Sequence, residues 1–585
     1  MSIDTSNINI LWGSLIVEEL IRNEVDYFCI SPGSRSAPLT SAVARNNKAK
    51  HIICFDERSA AFHGLGYGRA KGKPAVLICT SGTAAANYFP AIIEASVDSV
   101  PMIILTADRP PELHDSGANQ TIDQTKLYGS CVNWDFNLPC PDEKISPQMV
   151  LTTIDQAIYQ SCRSPRGPVH INCMFREPLA PQNASIELNY LQSVSNLEEI
   201  NDPFTKYEFS TRIPELSVVK KIANMVNETK SGIVLVGKLE SRAEAESVLR
   251  FAQRINWPIF PGINSGLRFQ LSKNNFIPYY DQIFSFEKLQ EKFSPETVLQ
   301  FGSRIVSKHV LEFIKQAKSK NYIQILSHPF RHDPQHNVTL RIEGDVEEIC
   351  QSLMNEVSSN PKMPWLEGLV ETSNVIESIM DTFVHAEQNV NEIAVARIIS
   401  QIIPEKNALF LASSMPIRDM DMFASTNGSI IPVASNRGAS GIDGTLATAT
   451  GFAVGNNLPV TLVIGDLAMI HDLNSLLLLR SIKQPVIVIL INNNGSGIFS
   501  FLPIADFEDI FEEYFGTPHD LTFEKAAEMF GVDYYNPQTN GEFQKIYQEA
   551  LMNNGSTIIE LKTDRKENLN LHKKVQDRIR IALQS

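Results

Sequence analysis

Two apolar runs, PVTLVIGD (459–466) and PVIVILI (485–491), flank LAMIHDLNSLLLLRSI, whose apolar spacing suits a helix. Neither run alternates apolar with polar residues, so each predicts a strand buried on both faces. Strands of that kind belong to parallel sheets covered by helices, and a strand–helix–strand unit joins parallel neighbours with a right-handed crossover. The same grammar recurs from the start of the chain. DYFCI (26–30), PAVLIC (74–79) and PMIILTA (101–107) are short apolar runs, with the helical patterns SAAFHGLGYGRAK (59–71) and TAAANYFPAIIEAS (83–96) between them.

At 585 residues the chain exceeds a single core, so several domains are expected. The polar, irregular stretch 181–216 and the looser SSNPKMPWLEG (358–368) read as linkers. SGIVLVGKLESRAEAESVLRFAQ (231–253) opens a second strand–turn–helix unit, while NALFLA (407–412) and STIIELK (556–562) add strands to the last. The expectation is three doubly wound α/β domains with mainly parallel sheets, at 1–185, 205–360 and 380–585.

Composition narrows the classes. With 43% hydrophobic and 20% charged residues the chain is ordinary for a globular protein. It has no uninterrupted apolar stretch of about 18 residues, which argues against membrane insertion. MSIDTSNINILWGS lacks the basic start and apolar core of a signal peptide. Eight scattered cysteines without a C-x-x-C pair read as reduced, buried thiols of a cytoplasmic protein. A net charge of −15 argues against nucleic acid as partner, and requires that anionic small substrates be captured by local arginines. The basic tail RKENLNLHKKVQDRIRIAL (565–583) reads as an amphipathic helix on the last domain rather than a membrane-surface element.

The run PVIVILI leads into three asparagines and a glycine, 492–495. If its strand neighbours the one ending at Asp466, the carboxylate and the asparagines lie together at the carboxyl edge of the sheet, where open α/β sheets bind ligands. One Asn would be a turn residue. A carboxylate, an amide oxygen and the Gly495 carbonyl together make a partial set of hard oxygen donors for Mg2+, completed by phosphate oxygens and water. Gly-Asp followed 27 residues later by Asn-Asn resembles the signature of thiamin diphosphate (thiamine pyrophosphate) enzymes, with Leu467 where many members carry Gly. The resemblance implies Mg2+ or Mn2+ on Asp466, Asn493 and Gly495.

The same resemblance extends to FDERSAAFHGLGYGRAKGKPAVLICTSGTAAANYFPAIIEA (55–95). Glu57 ends the strand candidate HIICFDE and precedes a helix, and Ser81-Gly82-Thr83-Ala84 matches the next landmark. Alone, Glu57 is a carboxylate at a helix N-terminus. By resemblance it hydrogen-bonds the cofactor's pyrimidine ring and promotes the imino tautomer. The resemblance also implies at least a homodimer, with dimer or tetramer open.

Four stretches narrow the family: SPGSRSAPLT (31–40), TADRPPELHDSGANQTIDQ (106–124), SSMPIRDM (413–420) and SNRGASGIDG (435–444). Together they closely resemble the MenD family of menaquinone biosynthesis, most strongly over the first 130 residues and 410–505. Its members decarboxylate 2-oxoglutarate and add the succinyl carbanion to isochorismate by conjugate addition. The resemblance implies that Ser34, Arg35, Arg109, Asn119 and Gln120 line the isochorismate side. Arg418 and Arg437 would hold the succinyl carboxylate, since a guanidinium grips a carboxylate bidentately. Ser414 and Ile442 would contact the cofactor, Ile442 propping its bent shape, and Ile498, Phe499 and Leu502 would wall the pocket. Lys308 would add a cation. His309 follows it where other members carry Arg, and an unperturbed histidine is mostly neutral at pH 7.

Two alternatives stand beside this resemblance. An acetohydroxyacid synthase-like decarboxylase or carboligase often carries a nucleotide in its middle domain, but the turn in SGIVLVGKLES has one Gly rather than G-x-G-x-x-G. No adjacent His-His pair of the simple decarboxylases occurs. A non-catalytic binding protein on the same fold would be expected to lack Glu57 or the Asp466/Asn493 pair, and all three are present.

Overall fold

Each apolar run named above becomes a strand buried along most or all of its length. The computed structural model describes residues 3–198, 201–269, 275–358, 363 and 365–584. The first sheet comprises β1 (Tyr27–Ile30), β2 (Lys50–Ile53), β3 (Ala75–Cys79), β4 (Met102–Asp108), β5 (Trp134–Leu138) and β6 (Pro168–Met174). It runs β2-β1-β3-β4-β6-β5, every pair parallel. The second comprises β7 (Gly232–Val236), β8 (Ile259–Pro261), β9 (Thr297–Phe301), β10 (Asn321–Leu326) and β11 (Leu340–Glu343). Its order is β11-β10-β9-β7-β8, also parallel throughout. The third comprises β12 (Ala408–Leu411), β13 (Val433–Ser435), β14 (Val460–Gly465), β15 (Val486–Asn492), β16 (Asp533–Tyr535) and β17 (Thr557–Lys562), ordered β13-β12-β14-β15-β17-β16. The first and third sheets therefore share one winding. In each the order reverses beside the first strand, between β1 and β3 and between β12 and β14. Such a switch point is where doubly wound sheets open a crevice at the strands' carboxyl ends.

The chain forms two compact units: Met1–Phe209 with Asn436–Val460 and Ala468–Val486, and Ser210–Ser435 with Thr461–Leu467 and Ile487–Ser585. In the first unit the strand period of two sorts the sheet onto two apolar cores. Phe28, Ile30, Val76, Ile78, Ile103 and Leu105 face one, while Tyr27, Cys29, Ala75, Leu77, Met102 and Ile104 face the other. On the second face the helix Glu57–Lys71 meets the helix Thr445–Asn456 at backbone contact distance. A Cβ on Gly66 would lie 2.0 Å from the Thr448 carbonyl oxygen, and one on Gly451 1.8 Å from that of His63. In the second unit, residues of both sheets share one core, into which Leu571, Val575 and Ile579 of the helix Arg565–Gln584 insert. The basic tail is thus a core-packed helix.

Several expectations are corrected. LAMIHDLNSLLLLRSI is not one helix: an α-helix covers Asp466–His471 and a 3-10 helix Leu473–Arg480. The break falls at buried Asp472, whose carboxylate accepts from Ala447 N and Ser475 Oγ instead of staying on a helix surface. TAAANYFPAIIEAS divides into Thr83–Asn87 and Phe89–Val97, because Pro90 suits a first helical turn and not an interior. Stretch 181–216 contains the helix Leu188–Glu198, with Tyr190 and Val194 buried in the first unit's core. The looser stretch 358–368 lies partly outside the described residues, and the helix Leu366–Ala386 begins within it. All eight cysteines are free, and among the described residues no helix is long and apolar enough to cross a membrane.

Candidate active site

In the first unit the predicted residues gather on loops leaving the carboxyl ends of β1, β2, β3 and β4. Gly33 and Thr80 close the switch point so tightly that a Cβ on Gly33 would lie 2.3 Å from that of Thr80. Two residues on, Arg35 is only 9% exposed; its Nη1 donates to the Phe175 carbonyl at 2.9 Å and its Nη2 lies 3.4 Å from Glu177 Oε1. Its Nε is buried with no partner. Arg109, directly after β4, donates through Nη1 to Ser81 Oγ and, at 3.3 Å, to the Gln120 carbonyl. Burial pulls its pKa down and the charge of nearby Arg35 pulls it further. The positive charge of Arg35 beside Arg109 favours an anion at this edge of the sheet. Ser34, Asn119 and Gln120 are exposed, Gln120 with a φ of 51°.

Glu57 does not end a strand: β2 stops at Ile53, and Glu57 is the first residue of the helix capped by Asp56, half-buried. Arg437 and Ile442 belong to this unit as well, Ile442 being 42% exposed. Sequence reasoning missed what holds their loop. Buried Glu94 accepts from the backbone N–H groups of Gly438, Ala439 and Ser440 at 2.7, 2.6 and 3.3 Å. It also missed Gln124, which accepts from Gly82 N at 2.9 Å and donates to Asn172 Oδ1 at 2.9 Å. Neither residue had a local signal, since each acts on a loop distant in sequence.

In the second unit, the neighbouring strands β14 and β15 bring Asp466 and the asparagines together. Asp466 accepts from Leu467 N at 2.7 Å and Gly495 N at 2.9 Å. The three asparagines separate into different jobs. Asn492 donates to the Leu521 carbonyl and to Glu560 Oε1 at 2.9 and 2.6 Å. Asn494, in left-handed backbone at φ 57°, accepts from His519 N and Asp520 N at 2.8 Å each. Only Asn493 keeps its amide oxygen free: Nδ2 donates to Glu392 Oε1 at 3.1 Å, and Oδ1 is buried without a partner. Gly495 has φ 129°, and a Cβ there would lie 2.0 Å from the Gly516 carbonyl oxygen. One carboxylate, one orphaned amide oxygen and the Gly495 carbonyl fit a hard divalent cation. His519, unmarked in the sequence, places Nε2 3.2 Å from Asp466 Oδ2.

The same unit holds a cavity of about 1040 Å³, lined among others by Lys308, His309, Arg418, Ile498 and Leu502. Phe499 instead packs edge-on against Phe515, with ring centroids 5.7 Å apart. Arg418 folds back to donate to the Ser414 carbonyl at 2.6 Å, Ser414 preceding the helix Met415–Phe423 at φ 72°. Burial lowers the Arg418 pKa, and adjacent Asp419 partly restores it. Lys308 lies 3.6 Å from Glu312, its side chain largely in solvent. His309 has an acidic partner that its sequence neighbours do not reveal. Its Nδ1 lies 3.1 Å from Asp281 Oδ2, and that hydrogen bond raises its pKa against the opposing effect of burial.

Arg418 and Arg437 fall in different compact units. The comparisons with known proteins agree with the arrangement of sheets. Three family models match in sequence: the thiamine pyrophosphate enzyme N-terminal TPP binding domain over residues 12–127, the middle domain of thiamine pyrophosphate over 188–411, and the thiamine pyrophosphate enzyme C-terminal TPP binding domain over 425–561. A 2-succinyl-5-enolpyruvyl-6-hydroxy-3-cyclohexene-1-carboxylate synthase of Rubrobacter xylanophilus is 45% identical over 571 residues, 98% of each chain. Proteins of the same description from Chlorobium phaeobacteroides and Salinibacter ruber are 43% and 41% identical. They cover 99% and 100% of this chain, and 99% and 98% of their own lengths. The chain therefore belongs to the 2-succinyl-5-enolpyruvyl-6-hydroxy-3-cyclohexene-1-carboxylate synthase family of thiamine pyrophosphate enzymes.

Proposed function

We propose that the protein is a thiamin diphosphate-dependent 2-succinyl-5-enolpyruvyl-6-hydroxy-3-cyclohexene-1-carboxylate synthase, which decarboxylates 2-oxoglutarate and joins the succinyl unit to isochorismate. The observation that carries this reading is identity of 41–45% with synthases of that description across nearly the whole chain. The loop arginines support it, because both substrates are dianions and the chain as a whole is strongly anionic. The cofactor, when bound, supplies the electron sink that decarboxylation and carbon–carbon bond formation need.

The residues then divide the remaining work. Glu57 holds a carboxyl group against the far nitrogen of the cofactor's pyrimidine. Asp466, Asn493 Oδ1 and the Gly495 carbonyl hold Mg2+ or Mn2+, while Ser414 and Ile442 steady the cofactor. Arg35 and Arg109 bind the carboxylates of isochorismate, with Ser34, Asn119 and Gln120 as polar neighbours. Arg418 and Arg437 orient the succinyl carboxylate, and Lys308 adds positive charge at the cavity rim, joined by His309 when it is protonated. Ile498, Phe499 and Leu502 exclude water from the reacting carbons. The working assembly in this reading is a cytoplasmic homodimer or homotetramer, and the domains divide at 1–185, 205–360 and 380–585.

Glu57→Gln tests the assignment of the activating carboxyl. The variant is expected to fold and to bind thiamin diphosphate with Mg2+ as the parent does, while 2-oxoglutarate-dependent CO2 release falls by at least a hundredfold. Near-parental release would remove Glu57 from the mechanism.

A further inference from the structure

Asn493 can serve as a metal ligand only if its amide is held the right way round, and the structure shows what holds it. We propose that Glu392 is the positioning residue of the metal site: by taking the Asn493 Nδ2–H group it commits Oδ1 to a divalent cation. The inference rests on the proposed Mg2+ site and adds to it a residue outside the Gly-Asp…Asn-Asn signature.

Glu392 opens the helix Glu392–Ile402, whose N-cap Asn391 accepts from Ala394 N at 2.9 Å. It is 4% exposed. Its Oε1 accepts twice, from Asn493 Nδ2 at 3.1 Å and from Thr563 Oγ1 at 3.0 Å. Thr563 follows β17, and its N–H bonds the Asn492 carbonyl at 3.0 Å, so the carboxylate is tied to the strand edge that carries Asn493. Turning the amide over would set Oδ1 against Oε1, replacing a hydrogen bond by two facing lone pairs in a buried place. On the other side Gly497 leaves room for the amide, since a Cβ there would lie 2.6 Å from Nδ2. The consequence is the unpartnered, buried Oδ1. Burial raises the Glu392 pKa and the two hydrogen bonds oppose that rise.

The test is Mn2+ affinity in the presence of thiamin diphosphate, read by electron paramagnetic resonance of free and bound Mn2+ on the full chain. Removing a residue that orients a ligand weakens metal binding by about tenfold to a hundredfold. Glu392→Met is expected to weaken Mn2+ by that factor, and Glu392→Gln, which keeps an acceptor oxygen, to recover most of it. In an Asn493→Ala background Glu392→Met should have no further effect, a pattern that mere damage to the core would not give. If Glu392→Met does not fold, Thr563→Val replaces it, with an expected weakening of about fivefold from one lost hydrogen bond, again only when Asn493 is present. Parental Mn2+ affinity in folded Glu392→Met or Thr563→Val, alongside weakened binding in Asn493→Ala, overturns the positioning role alone. Parental affinity in Asn493→Ala overturns the metal-site reading beneath it.

Discussion

Arg109 joins a structural tie to the recognition proposed for it in a single side chain. Its guanidinium ties the loop after β3 to the loop carrying Gln120, yet shares its surroundings with Arg35. A dianion relieves that repulsion. A charge-assisted hydrogen bond contributes about 1.5–3 kcal/mol, so Arg109→Met should raise the KM for isochorismate by about tenfold to a hundredfold. The KM for 2-oxoglutarate should change little, and initial-rate kinetics with each substrate varied in turn checks this. At His309 the sign of the pH effect is fixed by Asp281. The pKa is raised above the ordinary 6.5, so the cation is complete below that value and is lost as pH rises through the elevated one. Apparent substrate affinity should fall over that rise, and His309→Arg should flatten the profile. An unchanged profile in His309→Arg would place the titration elsewhere.

At the scale of elements, the loop after β15 does most to define the site. Gly495 sits at a φ that other residues rarely adopt, with Gly516 against its missing side chain. Gly495→Ala should therefore weaken Mn2+ binding while leaving the sheet's circular dichroism intact. Unaltered Mn2+ binding would mean that the loop tolerates a different path. The strands and the pairing of Asp466 with the asparagines were legible in the sequence because both depend on local runs and on sheet adjacency. Which asparagine keeps a free oxygen was not legible without the family resemblance. That is decided by Glu392, Glu560 and Asp520, which approach from other parts of the chain. The break at Asp472 escaped for the same reason: its partner Ala447 is distant in sequence. The Asp281 partner of His309 was not legible because nothing near the histidine in sequence announces it.

For the whole molecule, the shared winding of the first and third sheets explains why two loop sets, each at a switch point, furnish the candidate residues. The helix crossing at Gly66 and Gly451 also buries His63 between Tyr27 Oη and Thr450 Oγ1, at 2.8 Å from each. Burial lowers its pKa from the ordinary 6.5 to about 3. The unfolded chain therefore takes up a proton that the folded one refuses, so the contribution to stability is complete above 6.5 and drains as pH falls towards 3. Between pH 7 and 5 this amounts to about 2 kcal/mol. Denaturant unfolding of His63→Gln should lose less stability than the parent over that interval, by about that amount. Equal losses would show that another group governs the acid limb.

Joint use of two dianions at one thiamin diphosphate site, as proposed, is tested by following both substrates at once. Purified protein is incubated with thiamin diphosphate, Mg2+, 2-oxoglutarate and isochorismate, while CO2 release and isochorismate loss are recorded together. Equimolar CO2 release and isochorismate consumption are expected, both abolished when any one component is omitted. Release of CO2 with isochorismate left intact would rule out isochorismate as the second substrate.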